Sequence, residues 1–595
     1  MSDLAAHDSQ ATAAARTPQD LTLPRRPWRR STTPWARIVE AHYDGEGTPE
    51  KPYLIGWLPH EQENPMDFAP AYKWALTVFV SFATLAVALS SSAYSGATQE
   101  MGRELGGSSE VITLGISLFV LGFAIGPLFW APLSELFGRR NLLIVSYAFM
   151  TLWQGLCIAS PNIGAMVAFR FLVGAFGSSP LTNAGGVIAD TFSANQRGLA
   201  MSVFASAPFL GPALGPITGG FLTIGTGRWQ PVFIFLTVFT GLILLLGAAF
   251  CPETYAPVLL RQRAARLSKA TGKTYVSRLD AGKSTAFADQ MRIALVRPWQ
   301  LLFREPIVLL LSLYVGIIYA LLYSFFGAFP IVFQQVRGWN AGVGGLAFLG
   351  VLVGMMAGVV LVVVFYNPEY VRIASQSPGG LAPPEARLRP AFLGAVSLVV
   401  GLAIFTGTDG PNIHWFVPIA LGGAPFGLGM VLLFLSIQNY LIDAYLIYAA
   451  SVLAANSVIR SLLGAAFPMF TRFMYSPVGC PTATCGIHVG PGIATGLALI
   501  CMPMPFAFYK YGESIRRRCK YAAQAAQQLE LMRTKSRKAQ GEIPSEGKDA
   551  VAEKSETEPR TYHNTDTGHH SDESSPATRP PTRSTSDSER DVERQ

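Results

Sequence analysis

The sequence predicts an all-α polytopic membrane protein with twelve transmembrane helices. Three observations lead there. Half of the 595 residues are hydrophobic and only 14% are charged, where a soluble chain carries about 25%. The apolar residues gather in long runs, and a hydrocarbon layer of about 30 Å takes about 20 helical residues to cross. The runs lack the period-two alternation of a membrane barrel, and backbone groups in lipid must be bonded within their own segment, so each run is a helix.

Residues 1–72 are polar, hold no apolar signal-peptide core and read as an unstructured tail. Arg25, Arg26, Arg29 and Arg30 surround Trp28 there, a cluster suited to anionic lipid. Spans then follow at about 73–95, 111–131, 141–160, 165–188, 199–223, 230–251, 307–331, 343–366, 390–408, 412–437, 447–474 and 489–510. The first six define an N-terminal bundle over 73–251, and the last six a C-terminal bundle over 307–510. A basic stretch at 252–306 separates them, and residues 511–595 form a second, largely disordered tail that starts with Arg516, Arg517, Arg518 and Lys520, turns Ala/Gln/Leu-rich as an amphipathic surface helix would, and is Ser/Thr/Pro/Glu-rich from about Lys538.

Loop charge sets the expected orientation. Alternate loops carry Arg139 and Arg140, then Arg197, then ten Lys and Arg residues from Arg261 to Arg304, then Arg372, Arg387 and Arg389. The other loops hold only Arg103, Arg228 and Arg337. The positive-inside rule places the basic set and both tails in the cytosol of a multi-pass protein. The net charge of +8 therefore reflects membrane topology, and no nucleic acid is expected as partner. Cys157, Cys251 and Cys501 fall in or beside spans and read as small buried hydrophobes. Cys480 and Cys485 lie between the last two spans, on the oxidising side, and are a candidate disulfide closing a tight loop.

Four features carry chemistry. At the turn between spans two and three, Glu135, Gly138, Arg139 and Arg140 combine a carboxylate, a tight turn and paired cations at a membrane exit, the parts of a conformational gate. In span five, Gly211, Gly215 and Gly219 recur every four residues, with Pro216 and Gly220 beside them, giving a flat, bent face for close helix packing. Arg170 and Arg460 lie inside spans four and eleven, where a charge costs about 2.5–3.5 kcal/mol on insertion scales and must face a cavity or a partner. Tyr319, Tyr323 and Phe326 share a helical face in span seven and are the candidate lining of an apolar cavity. Acidic residues avoid the midplane of every span: Asp190 and Asp443 sit at helix ends, where salt bridging or a charge network with Glu135 is expected.

The run Trp130-Ala-Pro-Leu-Ser-Glu-Leu-Phe-Gly-Arg-Arg140 resembles the signature of the major facilitator superfamily at this loop, with Leu133, Glu135, Gly138, Arg139 and Arg140 matching. Gly211-Pro-Ala-Leu-Gly-Pro-Ile-Thr-Gly-Gly220 resembles the antiporter motif of its drug exporters. Pro252-Glu-Thr-Tyr-Ala-Pro257 and Gln438-Asn-Tyr-Leu-Ile-Asp-Ala-Tyr445 are similar to the fungal twelve-span drug:proton antiporters that export drugs, polyamines and toxins. The resemblance implies the major facilitator fold, two six-helix bundles with inverted repeats around a midplane cavity. It further implies export of small organic compounds from the plasma membrane by proton antiport and alternating access, with span five as hinge and Arg170 in proton coupling. Asp443 would take the part in the second half that Asp190 takes in the first.

Partners are expected to be a small-molecule substrate, a proton and membrane lipid, with the chain working as a monomer and with neither cofactor nor metal. A polyamine exporter or a nutrient-uptake symporter would keep the fold, although polyamines call for cavity carboxylates that the spans lack. A transporter-like sensor would use the long tail. A membrane enzyme would need His and acid groups clustered at one interface, whereas His414 and His488 stand apart at loops. No Gly-x-x-x-x-Gly-Lys-Ser/Thr loop is present to support ATP drive.

Overall fold

A computed structural model describes residues 33–59, 61–280, 287–377, 382–475, 486–525 and 527. Among them are twelve helices long and apolar enough to cross a membrane. In chain order these are α1 Pro70–Leu105, α2 Ser109–Phe137, α3 Arg139–Ile158, α4 Ile163–Thr191, α5 Gln196–Thr226 and α6 Gln230–Phe250. The second half holds α7 Pro306–Val336, α8 Ala341–Gln376, α9 Pro384–Thr408, α10 Val417–Ala444, α11 Leu446–Tyr475 and α12 Val489–Arg518. Each expected span has its helix. The ends differ because an apolar run marks lipid depth, whereas a helix continues until something stops it. Thus α2 runs past the expected 131 to Phe137, where Gly138 breaks it at φ +93°. Side chains cap several starts: Ser108, Asn162 and Asn340 accept from the third amide of α2, α4 and α8.

The halves repeat one packing scheme. In the first, α2 packs on α4, α1 on α5, and α3 on both α4 and α6. In the second, α8 packs on α10, α7 on α11, and α9 on both α10 and α12. Each pair reappears six helices later. The bundles meet through α2 with α11 and α5 with α8, pairs that exchange under the same offset. The chain thus forms two pseudo-equivalent six-helix bundles. Val238, Leu242 and Leu245 of α6 and Val353, Val360 and Val364 of α8 are exposed on outer faces, as lipid contact requires.

Alternating helices define two ends. The end that carries the Arg139–Arg140 turn and residues 251–305 is here the basic end. At this end the expected unstructured tail is corrected from residue 33 onward, and the basic connecting stretch also contains ordered elements. A helix at Trp35–Glu40, strand β1 at Tyr53–Ile55 and a turn at Pro65–Asp67 precede α1. A helix at Ala256–Thr271, strand β2 at Tyr275–Ser277 and a helix at Phe287–Arg304 follow α6. β1 and β2 pair in parallel, Tyr53 opposite Tyr275. Ile38, Tyr43 and Ile55 bury against Leu260, Ala264 and Leu267. Arg263, itself buried, binds both Glu61 and Glu63. Burial alone would raise the Glu61 carboxyl, but hydrogen bonds from Arg263, the Leu58 amide and Thr33 outweigh it and hold the carboxyl below its ordinary range. Each segment is polar alone; its order comes from a partner on the far side of six helices, which local pattern does not reveal.

Candidate functional site

At the basic end, the α2–α3 turn is built around an acid that the sequence reading did not single out. The Glu253 carboxylate accepts the backbone amides of Arg139 at 2.8 Å and Arg140 at 3.2 Å, capping the start of α3. It also accepts its own turn amides, Thr254 and Tyr255. Gly138 is required twice: its φ is +93° and a Cβ there would lie on the Glu253 carboxylate. The signal available was the first acid after span six, inside the Pro252–Pro257 motif.

Arg139 is pinned by several partners. Its Nε lies 3.3 Å from Asp190 Oδ2, its Nη1 binds the Ser134 hydroxyl, and its guanidinium stacks 4.6 Å from the Tyr255 ring centroid. Arg140 donates to the Ala248 carbonyl. Arg197 turns to the Ala189 carbonyl, so Asp190 belongs to Arg139. Glu135 is exposed to one side of this cluster. The second half repeats the lock: Asp443, at the end of α10, accepts from Arg387 Nε at 2.8 Å and from the Tyr370 hydroxyl at 2.9 Å. There Glu385 receives both Arg516 Nε and Nη2 at 2.9 Å, tying α9 to α12 as Glu253 ties α3 to the end of α6.

The glycine face of α5 lies on α1. A Cβ at Gly211, Gly215 or Gly219 would overlap Ala88, Ser92 or the Ala93 carbonyl respectively. The Ser92 hydroxyl also bonds the Gly211 carbonyl at 3.3 Å. Gly220 and Pro216 turn instead toward the other bundle. A Cβ at Gly220 would sit 2.5 Å from the Ala341 carbonyl, and one at Gly345 would sit 2.6 Å from the Pro216 carbonyl.

Two arginines occupy the interior, in opposite circumstances. Arg170 is fully buried and donates to the carbonyls of Ser90 at 2.6 Å, Ser91 at 2.9 Å and Gly115 at 3.2 Å. Its guanidinium lies between the Tyr94 and Phe119 rings. It is therefore enclosed within the N-terminal bundle, at the point where α1 tightens into a 3-10 turn at Ala93–Ala97. Arg460 has one hydrogen bond, from Nη2 to the Ser457 hydroxyl at 3.3 Å, and its buried Nε has no partner among the described residues. It lies against the rings of Tyr319 and Phe434.

The trio Tyr319, Tyr323 and Phe326 stands at the bundle interface. Tyr319 and Tyr323 have ring centroids 4.8 Å apart, and Tyr323 meets Phe326 edge-on at 5.1 Å. The Tyr319 hydroxyl donates to that of Tyr323. Phe209 of α5 meets Phe434 of α10 nearby, ring to ring at 4.9 Å.

The end away from the basic loops is closed. Arg472 of α11 pairs with Glu110 of α2 at 3.2 Å, and at the same end the backbones of α5 and α8 approach closely. Also at this end, buried Asp409 pairs with His488, and Arg337 donates to the carbonyls of Thr408, Gly410 and Ile413. Cys480 and Cys485, the candidate disulfide, lie outside the described residues. Among the described residues no group of three His, Cys, Asp or Glu is placed to hold a metal.

A sequence model of the Major Facilitator Superfamily matches residues 80–468. An MFS-type efflux pump of Trichophyton rubrum is 53% identical over 502 residues, covering 84% of this chain and 82% of that protein. A major facilitator superfamily multidrug transporter of Aspergillus fumigatus is 53% identical over 490 residues, covering 82% and 79%. An efflux pump of Gibberella moniliformis is 48% identical over 498 residues, covering 84% and 82%.

Proposed function

Because the chain belongs to the major facilitator superfamily and is a transporter of small organic compounds rather than an enzyme, we propose that it exports such compounds from a fungal cell by proton antiport. The observation that carries this reading is the identity of about half, over most of both chains, to relatives named as efflux pumps. The basic end faces the cytosol of the plasma membrane, with both tails on that side, as loop charge favours. The protein works as a monomer that rocks one bundle against the other.

The geometry supports a division of labour. The Arg139–Asp190 and Arg387–Asp443 locks keep each half rigid at its cytosolic end. Glu135, exposed beside the first lock, is free to engage the other half when the inner side closes. The α5 glycine face lets α1 and α5 move as one wall, with Pro216 and Gly220 meeting α8 at the outer seal. Arg170 holds the α1 turn to α2 and α4, so proton-linked change in the cavity is transmitted through it.

The test is retention of a fluorescent compound by drug-sensitive yeast expressing the chain, with and without a protonophore. Expression should lower retention, and the protonophore should restore it. Arg170→Ala should abolish efflux while surface expression persists. Efflux that survives the protonophore would refute proton drive.

A further inference from the structure

The membrane interior of this protein carries two positive charges and no negative one. Arg170 and Arg460 stand inside α4 and α11, whereas Glu369, Lys510 and Glu513 belong to the basic-end extensions of α8 and α12. Arg170 is satisfied by three carbonyls and two rings. Arg460 is not. It stands near the midpoint of α11, holds one long hydrogen bond, and leaves a buried Nε unpaired. Among the described residues no carboxylate pairs with it. An unpaired charge is costly in a site shielded from water, and a guanidinium offers a planar fork of donors that fits a carboxylate or sulfonate.

Aromatic rings surround this group. The guanidinium lies 5.0 Å from the Tyr319 ring centroid and 5.3 Å from that of Phe434. Phe434 touches Phe209 across the bundle interface. On the same helix, the buried Asn456 Oδ1 and Ser461 Oγ also lack partners. The charged anchor thus touches two aromatic rings, and through Phe434 it is linked to a ring of the other bundle.

We propose that Arg460 anchors an organic anion, so that this transporter's cargo bears a single negative charge beside an aromatic or otherwise apolar body. The proposal rests on the exporter reading above and narrows its substrate class. Cationic cargo, polyamines included, is repelled by the same field. Anion binding at Arg460 would place the apolar body among Tyr319, Phe434 and Phe209, rings contributed by both bundles, so that the cargo is gripped at the surface where the halves part.

The experiment uses the purified full-length chain and three tritiated probes: naphthalene-2-sulfonate, its neutral sulfonamide, and a naphthylmethyl trimethylammonium cation. The sulfonate should bind more tightly than the sulfonamide by about 10- to 100-fold, as one charge-assisted contact allows. Arg460→Gln should erase that preference and leave sulfonamide binding in place. Arg460→Lys, which keeps charge without the fork, should show an intermediate preference and decides the matter if the Gln variant does not fold. Preference for the cation, no binding of any probe, or a sulfonate preference that survives Arg460→Gln would overturn the proposal. Inside-out vesicles separate the two readings. Selective binding without sulfonate transport would refute the exporter and spare the anion site, and transport indifferent to charge would do the reverse.

Discussion

The Tyr323 hydroxyl of α7 donates to the Ser91 hydroxyl of α1 at 3.0 Å, while the Ser91 carbonyl receives Arg170 Nη2 at 2.9 Å. One serine thus joins the two bundles and steadies a buried charge. The first bond crosses between the bundles, whereas the second lies within the N-terminal bundle.

Tyr323→Phe should therefore favour separation. The bond is worth about 0.5–1.5 kcal/mol, enough to raise the population with an open outer end by up to about tenfold. Spin-label distances between positions 110 and 472, which flank the closed outer seam, would read this. Ser91→Ala should act alike, and the double variant should add little. Full additivity would mean that the two side chains are not coupled.

The glycines of α5 should differ sharply in tolerance. At Gly219 a Cβ meets the Ala93 carbonyl, a backbone atom that cannot swing away, whereas at Gly225 it meets nothing within 4 Å. Gly219→Ala should cost about 1–3 kcal/mol of packing strain and most of the transport rate. Gly225→Ala should leave both unchanged. Equal transport by the two variants would remove the close α1–α5 approach from the mechanism.

At the α2–α3 turn, Gly138→Ala forces a side chain into positive φ and onto Glu253. A strained residue of this kind costs about 1–3 kcal/mol, readable as a lower melting temperature of the detergent-solubilised protein. Glu253→Gln keeps the shape but weakens the α3 cap, and should cost about 0.5–2 kcal/mol. If Glu253→Gln melts as wild type does, the carboxylate does not hold the turn.

Stability should also carry a signature of Asp409. Burial pushes its carboxyl up to about 6, and the His488 imidazole and Arg337 only partly oppose that rise. A folded-state value above the unfolded one, about 4, means that the folded chain holds this proton more tightly. The contribution is complete below about pH 4 and is lost as pH rises through about 6. Asp409→Asn should flatten that part of the melting-temperature profile. An unchanged profile would assign the pH dependence to other groups.

The spans, their number and the halves were legible because lipid imposes one rule on every residue of a crossing helix. The α5 glycines were legible because close packing leaves a period of four. Arg170 announced itself as a charge in lipid, but its acceptors did not: they are main-chain carbonyls of Ser90, Ser91 and Gly115, which side-chain patterns do not encode. Asp190 lies seven residues from Arg197 in sequence yet pairs with Arg139, because α3 and α4 bring those ends together. Glu253 acts through backbone amides and so resembled any loop acid. The β1–β2 contact needs both strands at once, and neither carries a sign of the other.

That contact has a consequence for biogenesis. β1 leaves the ribosome before the first membrane helix, and β2 only after the sixth. Chain elongation at about 5–20 residues per second leaves the early strand waiting for many seconds, with Ile38, Tyr43 and Ile55 unsheltered. The strap closes only if six insertions have returned the nascent chain to the side it started from. A wrong crossing would leave those side chains and the Glu61 carboxylate without their mates before the second bundle is made.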